Sequence, residues 1–203
     1  MNLLAHAYLS FRQPELLVGN MISDFVKGRK RFDFPHGIQK GIALHRAIDT
    51  FTDEHPVNIE AKKIFKPAVG LYGAAFLDVA YDHFLAADNL AFPTGSLPDF
   101  TQWVYNTIGD YEHHFPASFA GMYPYMKEQD WLCNYQFRWG IEKSMQGLVR
   151  RARYLENAKP AFDAFESNID QLQNAYHRFF PELLLFVTNY YRNHLISSPG
   201  TAS

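Results

Sequence analysis

Gly37-Ile38-Gln39-Lys40-Gly41-Ile42-Ala43-Leu44-His45-Arg46-Ala47-Ile48-Asp49-Thr50-Phe51 is the stretch on which the reading of the fold turns. Its apolar residues return at helical steps of three and four, and Pro56 forces a break or a fresh start beyond it. At 100° per residue, His45, Asp49 and Thr52 share a stripe with Ile38, Gly41 and Ile42, the face its apolar residues assign to the interior. An unpaired carboxylate there is costly, so such groups are paired, protonated or bound to metal.

The same conflict recurs on either side. A helix expected over 14–28 places Asn20, Asp24 and Lys27 within about 60° of one another, below Leu16 and Leu17. A long helix expected over 71–87 puts Asp78 and Asp82 on the line of Leu71, Ala75, Val79 and Ala86. Residues four apart, His45/Asp49 and Asp78/Asp82, are spaced so that both side chains can reach one ion. Mixed imidazole and carboxylate ligands suit Mn²⁺, Fe²⁺ or Zn²⁺, and a carboxylate-rich set leans toward Mn²⁺ or Mg²⁺. For any single acid the alternatives are a solvated carboxylate or a buried pair with Arg46, which needs no metal.

Outward from these segments the chain reads as helix throughout, with no sustained apolar/polar alternation and no Asn-Gly or Asp-Gly hairpin turn. Further helices are expected over 2–11, 58–65, 99–113, 118–131, 141–155 and 160–180, with a last one beginning at Pro181. The segment 89–98, with two prolines and a glycine, is a connection inside one domain. Phe162, Phe165, Ile169, Leu172, Tyr176 and Phe179 form a seam for a neighbouring helix. The expected fold is all-α, a single-domain bundle of about nine or ten helices over 1–196, with 197–203 as a flexible tail.

At 203 residues there is room for one substantial core, and 16% aromatic content points to one built on rings. A net charge of −2 argues against general nucleic-acid binding. The single cysteine, Cys133, permits no intrachain disulfide and reads as a buried thiol in a reducing compartment. The chain shows no basic leader and no apolar run near the ~20 residues of a membrane span, so a cytoplasmic protein is expected. The Glu-x-x-His pairs of a di-iron carboxylate bundle are absent from the necessary positions.

Three blocks then become recognisable. Met1-Asn2-Leu3-Leu4-Ala5-His6-Ala7 with Leu17-Val18-Gly19-Asn20-Met21-Ile22-Ser23-Asp24-Phe25-Val26-Lys27-Gly28, the block from Gly41 to Pro56, and Asp78-Val79-Ala80-Tyr81-Asp82-His83-Phe84-Leu85 together resemble the acyl carrier protein phosphodiesterase family. The resemblance is dense over about residues 1 to 90. It implies a helical, divergent relative of the HD-type metal phosphohydrolases with a Mn²⁺-favouring site, Mg²⁺ or Fe²⁺ being possible. The implied reaction is hydrolysis of holo-acyl carrier protein to apo-protein and 4′-phosphopantetheine. Asp24, His45, Asp78 and Asp82 are the ligands expected first, with Asp49 and His83 as further candidates. Lys27 and Arg46 are expected to stabilise phosphoryl charge, and His55 or His6 to protonate the departing serine oxygen.

The implied partner is an acidic carrier, and Lys27, Arg29, Lys30, Arg31 and Lys40 form a basic cluster to receive it, with Arg150, Arg151 and Arg153 as a second. Two other readings stay open: a related phosphohydrolase acting on another phosphodiester or a nucleotide, and a non-catalytic module that binds an acidic protein.

Overall fold

The structure is a computed structural model that describes residues 1–195. In chain order its α-helices are α1 (Leu3–Tyr8), α2 (Pro14–Ile22), α3 (His36–Glu54), α4 (Pro56–Ala61), α5 (Lys66–Val69) and α6 (Gly73–Ala86). They continue as α7 (Ser96–Gly109), α8 (Ala117–Glu128), α9 (Trp131–Asn134), α10 (Arg138–Arg151), α11 (Lys159–Ser167) and α12 (Ile169–Tyr190). No strand occurs among the described residues, so the fold is all-α, with short 3-10 turns between several helices. The expected tail, 197–203, lies outside the described residues.

The frame of the site is the α2–α3 pair. Its two backbones meet at Gly19 and Gly41: a Cβ on Gly19 would lie 2.1 Å from the Ile38 carbonyl oxygen, and one on Gly41 2.4 Å from that of Leu16. Backbone atoms cannot swing aside, so only a residue without a side chain fits. Gly41→Ala is therefore expected to force the pair apart and cost about 3 kcal/mol, the upper range for overpacking. In a chain of this size that is a melting-temperature drop of about 6–12 °C, measurable by calorimetry. A wild-type melting temperature would remove the close approach from the account.

Helix α1 packs on α2 and α6, and α12 packs across α3, α4 and α6. Tyr81, Tyr176, Phe65, Phe76, Phe119, Phe165 and Phe179 are all fully buried, so the core is indeed built on rings. Tyr81 stacks on Phe179 at 5.5 Å and meets Tyr176 edge-on at 5.9 Å.

Several expected boundaries move, and three of the shifts change how the chain is read. The helix expected over 14–28 stops at Ile22, continues as a 3-10 turn over Ser23–Phe25 and becomes extended at Val26 and Lys27, so Asp24 and Lys27 do not share its face. Edge-on packing of Phe25 against Phe119 at 5.5 Å holds that turn. The long helix starts at Gly73 rather than near Leu71, because α5 and a 3-10 turn intervene. The break expected at Pro181 instead falls at Asn168. There the Asn168 side chain donates to the Ala164 carbonyl, ending α11, while its own carbonyl accepts from Leu172 N at the start of α12. Pro181 lies exposed inside α12, its ring turned to solvent, so α12 continues through it. The aromatic seam is thus split between two helices.

Candidate metal centre

Three helical elements bring four side chains together. His6 comes from α1, His45 and Asp49 from one face of α3, and Asp24 from the turn after α2. The two imidazoles stack face to face, with centroids 3.9 Å apart and planes 12° from parallel. Asp49 bridges them: its Oδ1 lies 3.2 Å from His6 Nε2 and its Oδ2 3.0 Å from His45 Nε2. Asp24 Oδ1 approaches the same His45 Nε2 at 3.1 Å. One ligand atom each from His6, His45 and Asp49 lies within 4.8 Å of the others, the one such group of three among the described residues. The rings are buried, Asp49 is 39% exposed and Asp24 73% exposed, so the centre has a wet mouth on the carboxylate side.

Behind the rings lies Asn20, fully buried in the last turn of α2. His6 Nδ1 is 2.8 Å from Asn20 Oδ1, and Asn20 Nδ2 donates to the His6 carbonyl oxygen at 2.8 Å and to Ser10 Oγ at 3.1 Å. His45 Nδ1 sits 2.7 Å from the Asn20 main-chain oxygen.

Electrostatics separate the two histidines. Burial, reinforced by the nearby His45, pushes His6 down to about 4, so it is neutral at pH 7. Its buried Nε2 has no hydrogen-bond partner, yet faces a carboxylate oxygen. A lone pair against an anion is a contact that a cation resolves, and two imidazole nitrogens with a carboxylate are a donor set for a first-row divalent metal. The residues therefore fit a metal.

Burial works against charge on His45, but the carboxylates of Asp24 and Asp49 outweigh it and raise the ring to about 9. Asp49 is held well below the usual carboxylate range: burial would raise it, and the hydrogen bond from His45 together with the nearby Met1 ammonium overcomes that. Folded His45 binds its proton more tightly than the unfolded chain does. Its contribution to stability is thus complete below the unfolded value of 6.5 and is lost as pH rises through about 9. Metal-free protein is expected to lose about 3 kcal/mol between those limits, which urea melts in chelator at the two pH values measure. Equal stability at both would show that the His45–carboxylate pair does not form.

The remaining expected site residues are placed as follows. Asp78 Oδ1 is 3.3 Å from the Met1 amino nitrogen, which is itself 3.5 Å from Asp49 Oδ1, so Asp78 stands one contact from the centre. Burial raises its carboxyl despite that cation. Asp82 turns away to α1: Oδ2 accepts from Leu4 N at 2.7 Å and Oδ1 from Ala5 N at 3.1 Å. It is fully buried, and burial lifts it to about 7 against those two donors. His83 Nδ1 donates to the Tyr135 carbonyl at 2.8 Å, and its ring packs on Phe165. His55 Nε2 lies 3.2 Å from Glu182 Oε2, between Phe51 and Phe179. Arg46 donates to the Val26 carbonyl at 3.1 Å, anchoring the extended segment on which Lys27 is exposed. Lys40 Nζ donates to the Leu195 carbonyl.

Two residues carry more than the sequence reading assigned them. His6 joins the candidate metal group, and Asn20 holds both rings. Lys62, which no sequence pattern marks, lines a small cleft with Thr52, Asp53, Asn58 and Asp78. No helix among the described residues is long and apolar enough to cross a membrane.

Comparison with known proteins adds relatives to this geometry. The family model described as acyl carrier protein phosphodiesterase matches residues 1–183. A Yersinia pestis protein named acyl carrier protein phosphodiesterase is 33% identical over 186 residues, 91% of this chain and 96% of the relative. Proteins of the same name from Klebsiella pneumoniae strain 342 and Photorhabdus laumondii are 30% identical over 190 residues and 29% over 185. These cover 93% and 91% of this chain, and 98% and 93% of the relatives. No solved structure matches. A family match running from residue 1 to 183, with full-length relatives near one-third identity, means that this chain belongs to the acyl carrier protein phosphodiesterase family.

Proposed function

We infer that this chain hydrolyses holo-acyl carrier protein to apo-protein and 4′-phosphopantetheine, with a divalent metal held by His6, His45 and Asp49. One observation carries the metal: three donor atoms from two helices within 4.8 Å of one another, one of them a buried nitrogen without a hydrogen bond. Asp24, 3.1 Å from His45 Nε2, is the proposed fourth ligand. The set leaves out Asp82 and His83, whose nearest polar contacts are backbone groups elsewhere. Two imidazoles with carboxylates suit Mn²⁺, Fe²⁺ or Zn²⁺ and suit Mg²⁺ less, and Mn²⁺ is the ion that the family resemblance implies.

A bound divalent metal supplies Lewis-acid charge at a non-bridging phosphate oxygen and an acidified water. Water oxygen bonds to phosphorus, the bond from phosphorus to the serine oxygen breaks, one water proton goes to a carboxylate, and the serine oxygen leaves protonated. Asp78, half-buried beside the centre, is the proposed proton acceptor. Lys27 meets phosphoryl charge at the rim, and Arg46, anchored on Val26, has guanidinium N–H groups left for it. His55, held by Glu182, is the proposed donor to the leaving oxygen. Mass spectrometry of holo-carrier incubated with the protein and Mn²⁺ tests the reaction: a loss equal to the phosphopantetheine group is expected. An unchanged carrier mass, or turnover of nucleotides alone, would overturn it.

The carrier is proposed to dock on Lys27, Arg29, Lys30 and Arg31, all on the segment leading from Asp24 to α3. Lys40 is the least available member, since its ammonium already meets Leu195. Reversing the charges of Arg29, Lys30 and Arg31 is expected to raise KM for the carrier at least about tenfold at low salt, fading as salt rises, with hydrolysis of a small phosphodiester unchanged. Equal loss on both substrates would remove the docking role. With such a carrier as substrate, the proposed location is the cytoplasm.

A further inference from the structure

We propose that Asn20 is a positioning residue that fixes the tautomer of both metal-facing histidines, His6 through its side chain and His45 through its main chain. This rests on reading the His6–His45–Asp49 group as a metal site. The argument follows from the closed hydrogen-bond network behind the rings. Ser10 Oγ donates its proton to the His6 carbonyl at 2.8 Å, so towards Asn20 it can only accept. The His6 carbonyl likewise can only accept. Both lie against one end of the Asn20 amide, at 2.8 and 3.1 Å, so that end is the NH₂ group. The other end is then the oxygen, 2.8 Å from His6 Nδ1, and Nδ1 must carry the hydrogen. His6 Nε2 is left as a lone pair aimed at the centre.

For His45 the logic is shorter. Its Nδ1 faces the Asn20 main-chain oxygen at 2.7 Å, which can only accept, so Nδ1 keeps its hydrogen and Nε2 is the nitrogen that gives up its proton to become the ligand. That carbonyl lies in the last turn of α2, where carbonyls run out of intrahelical donors. The Gly19–Gly41 approach brings it within reach of α3. One buried residue thus turns two rings from two helices toward the same point, the role that hydrogen-bond partners of ligating histidines play.

The test uses metal-free full-length protein with ¹⁵N-labelled histidine. Long-range ¹⁵N–¹H spectra at neutral pH are expected to show His6 protonated at Nδ1 only. Asn20→Leu removes the side-chain acceptor at similar volume. It is expected to move the His6 proton to Nε2, where it faces Asp49, and to weaken Mn²⁺ binding by about 10–100-fold in calorimetry. Asn20→Asp keeps an acceptor at Nδ1 but sets a second oxygen against the His6 carbonyl. It should melt lower than wild type while keeping the Nδ1–H form and binding Mn²⁺ more tightly than Asn20→Leu. A purely structural Asn20 would not separate these two readouts. Wild-type protein that binds Mn²⁺ with His6 protonated at Nε2 overturns the proposal and leaves the metal site standing, and so does Asn20→Leu with wild-type affinity. If Asn20→Leu fails to fold, Asn20→Asp with an Nε2–H ring overturns it instead. Wild-type protein that binds no Mn²⁺ overturns the metal reading, and this proposal with it.

Discussion

Asp49→Asn is expected to abolish Mn²⁺ binding and phosphopantetheine release together while leaving the protein folded. Among the described residues Asp49 is the one whose two oxygens each meet a different imidazole, at 3.2 and 3.0 Å. Asparagine keeps the shape but offers one acceptor and an NH₂ group to the two nitrogens proposed as ligands. It also removes the half-buried negative charge of the centre. Losing a partner one contact removed from a metal typically costs 10–100-fold in affinity, so loss of this bridging carboxylate should exceed about 100-fold. If the metal contributes about 4 kcal/mol to the transition state, turnover falls about a thousandfold. Calorimetry with Mn²⁺ and the carrier mass assay measure the two losses. Glu60→Gln, which alters an exposed partner of Lys63, should change neither. Asp49→Asn with wild-type affinity would remove Asp49 from the centre.

The second large effect is on stability. Asp82→Ala leaves the amide N–H groups of Leu4 and Ala5 buried without acceptors at the start of α1. Each unsatisfied buried donor costs about 1–3 kcal/mol, so a loss of about 4 kcal/mol and a melting-temperature drop on the order of 10 °C are expected. Because α1 carries His6, metal affinity should fall as well. Asp82→Asn retains one acceptor and should show about half of that loss while keeping Mn²⁺ affinity nearly intact. The pattern discriminates between roles for Asp82. A ligand would lose affinity in Asp82→Asn with stability unchanged, whereas a brace for α1 loses stability first.

These outcomes mark what the sequence made legible and where it stopped. Helix α3 could be read because its period, its inward His45 and Asp49 and the following Pro56 all agree, and it is found over His36–Glu54. The path after Ile22 could not be read, because a 3-10 turn and an extended Val26 leave no periodic signature, and Asp24 reaches His45 from that turn rather than from a helical face. Asp82 is inward, as its place on the apolar line of α6 predicts. Burial alone, however, does not distinguish a carboxylate that holds a metal from one that holds the first amides of a helix nearly eighty positions away in sequence. His6 was a single histidine on a six-residue helix, with no companion in sequence to mark it. Its partners Asn20 and Asp49 appear only when α1 folds against the α2–α3 pair. The Pro181 reading failed for a related reason: packing along α12 outweighs one missing hydrogen bond, and the side-chain cap of Asn168 decides where the chain breaks.

The convergence of His6 and His45 on one ion is tested most directly by electron spin-echo modulation of the Mn²⁺-loaded protein, which reports nitrogen nuclei bonded to the metal. Couplings to two imidazole nitrogens are expected in the wild type, and to one after His6→Gln. Manganese bound at full occupancy with no nitrogen coupling would contradict the proposed centre.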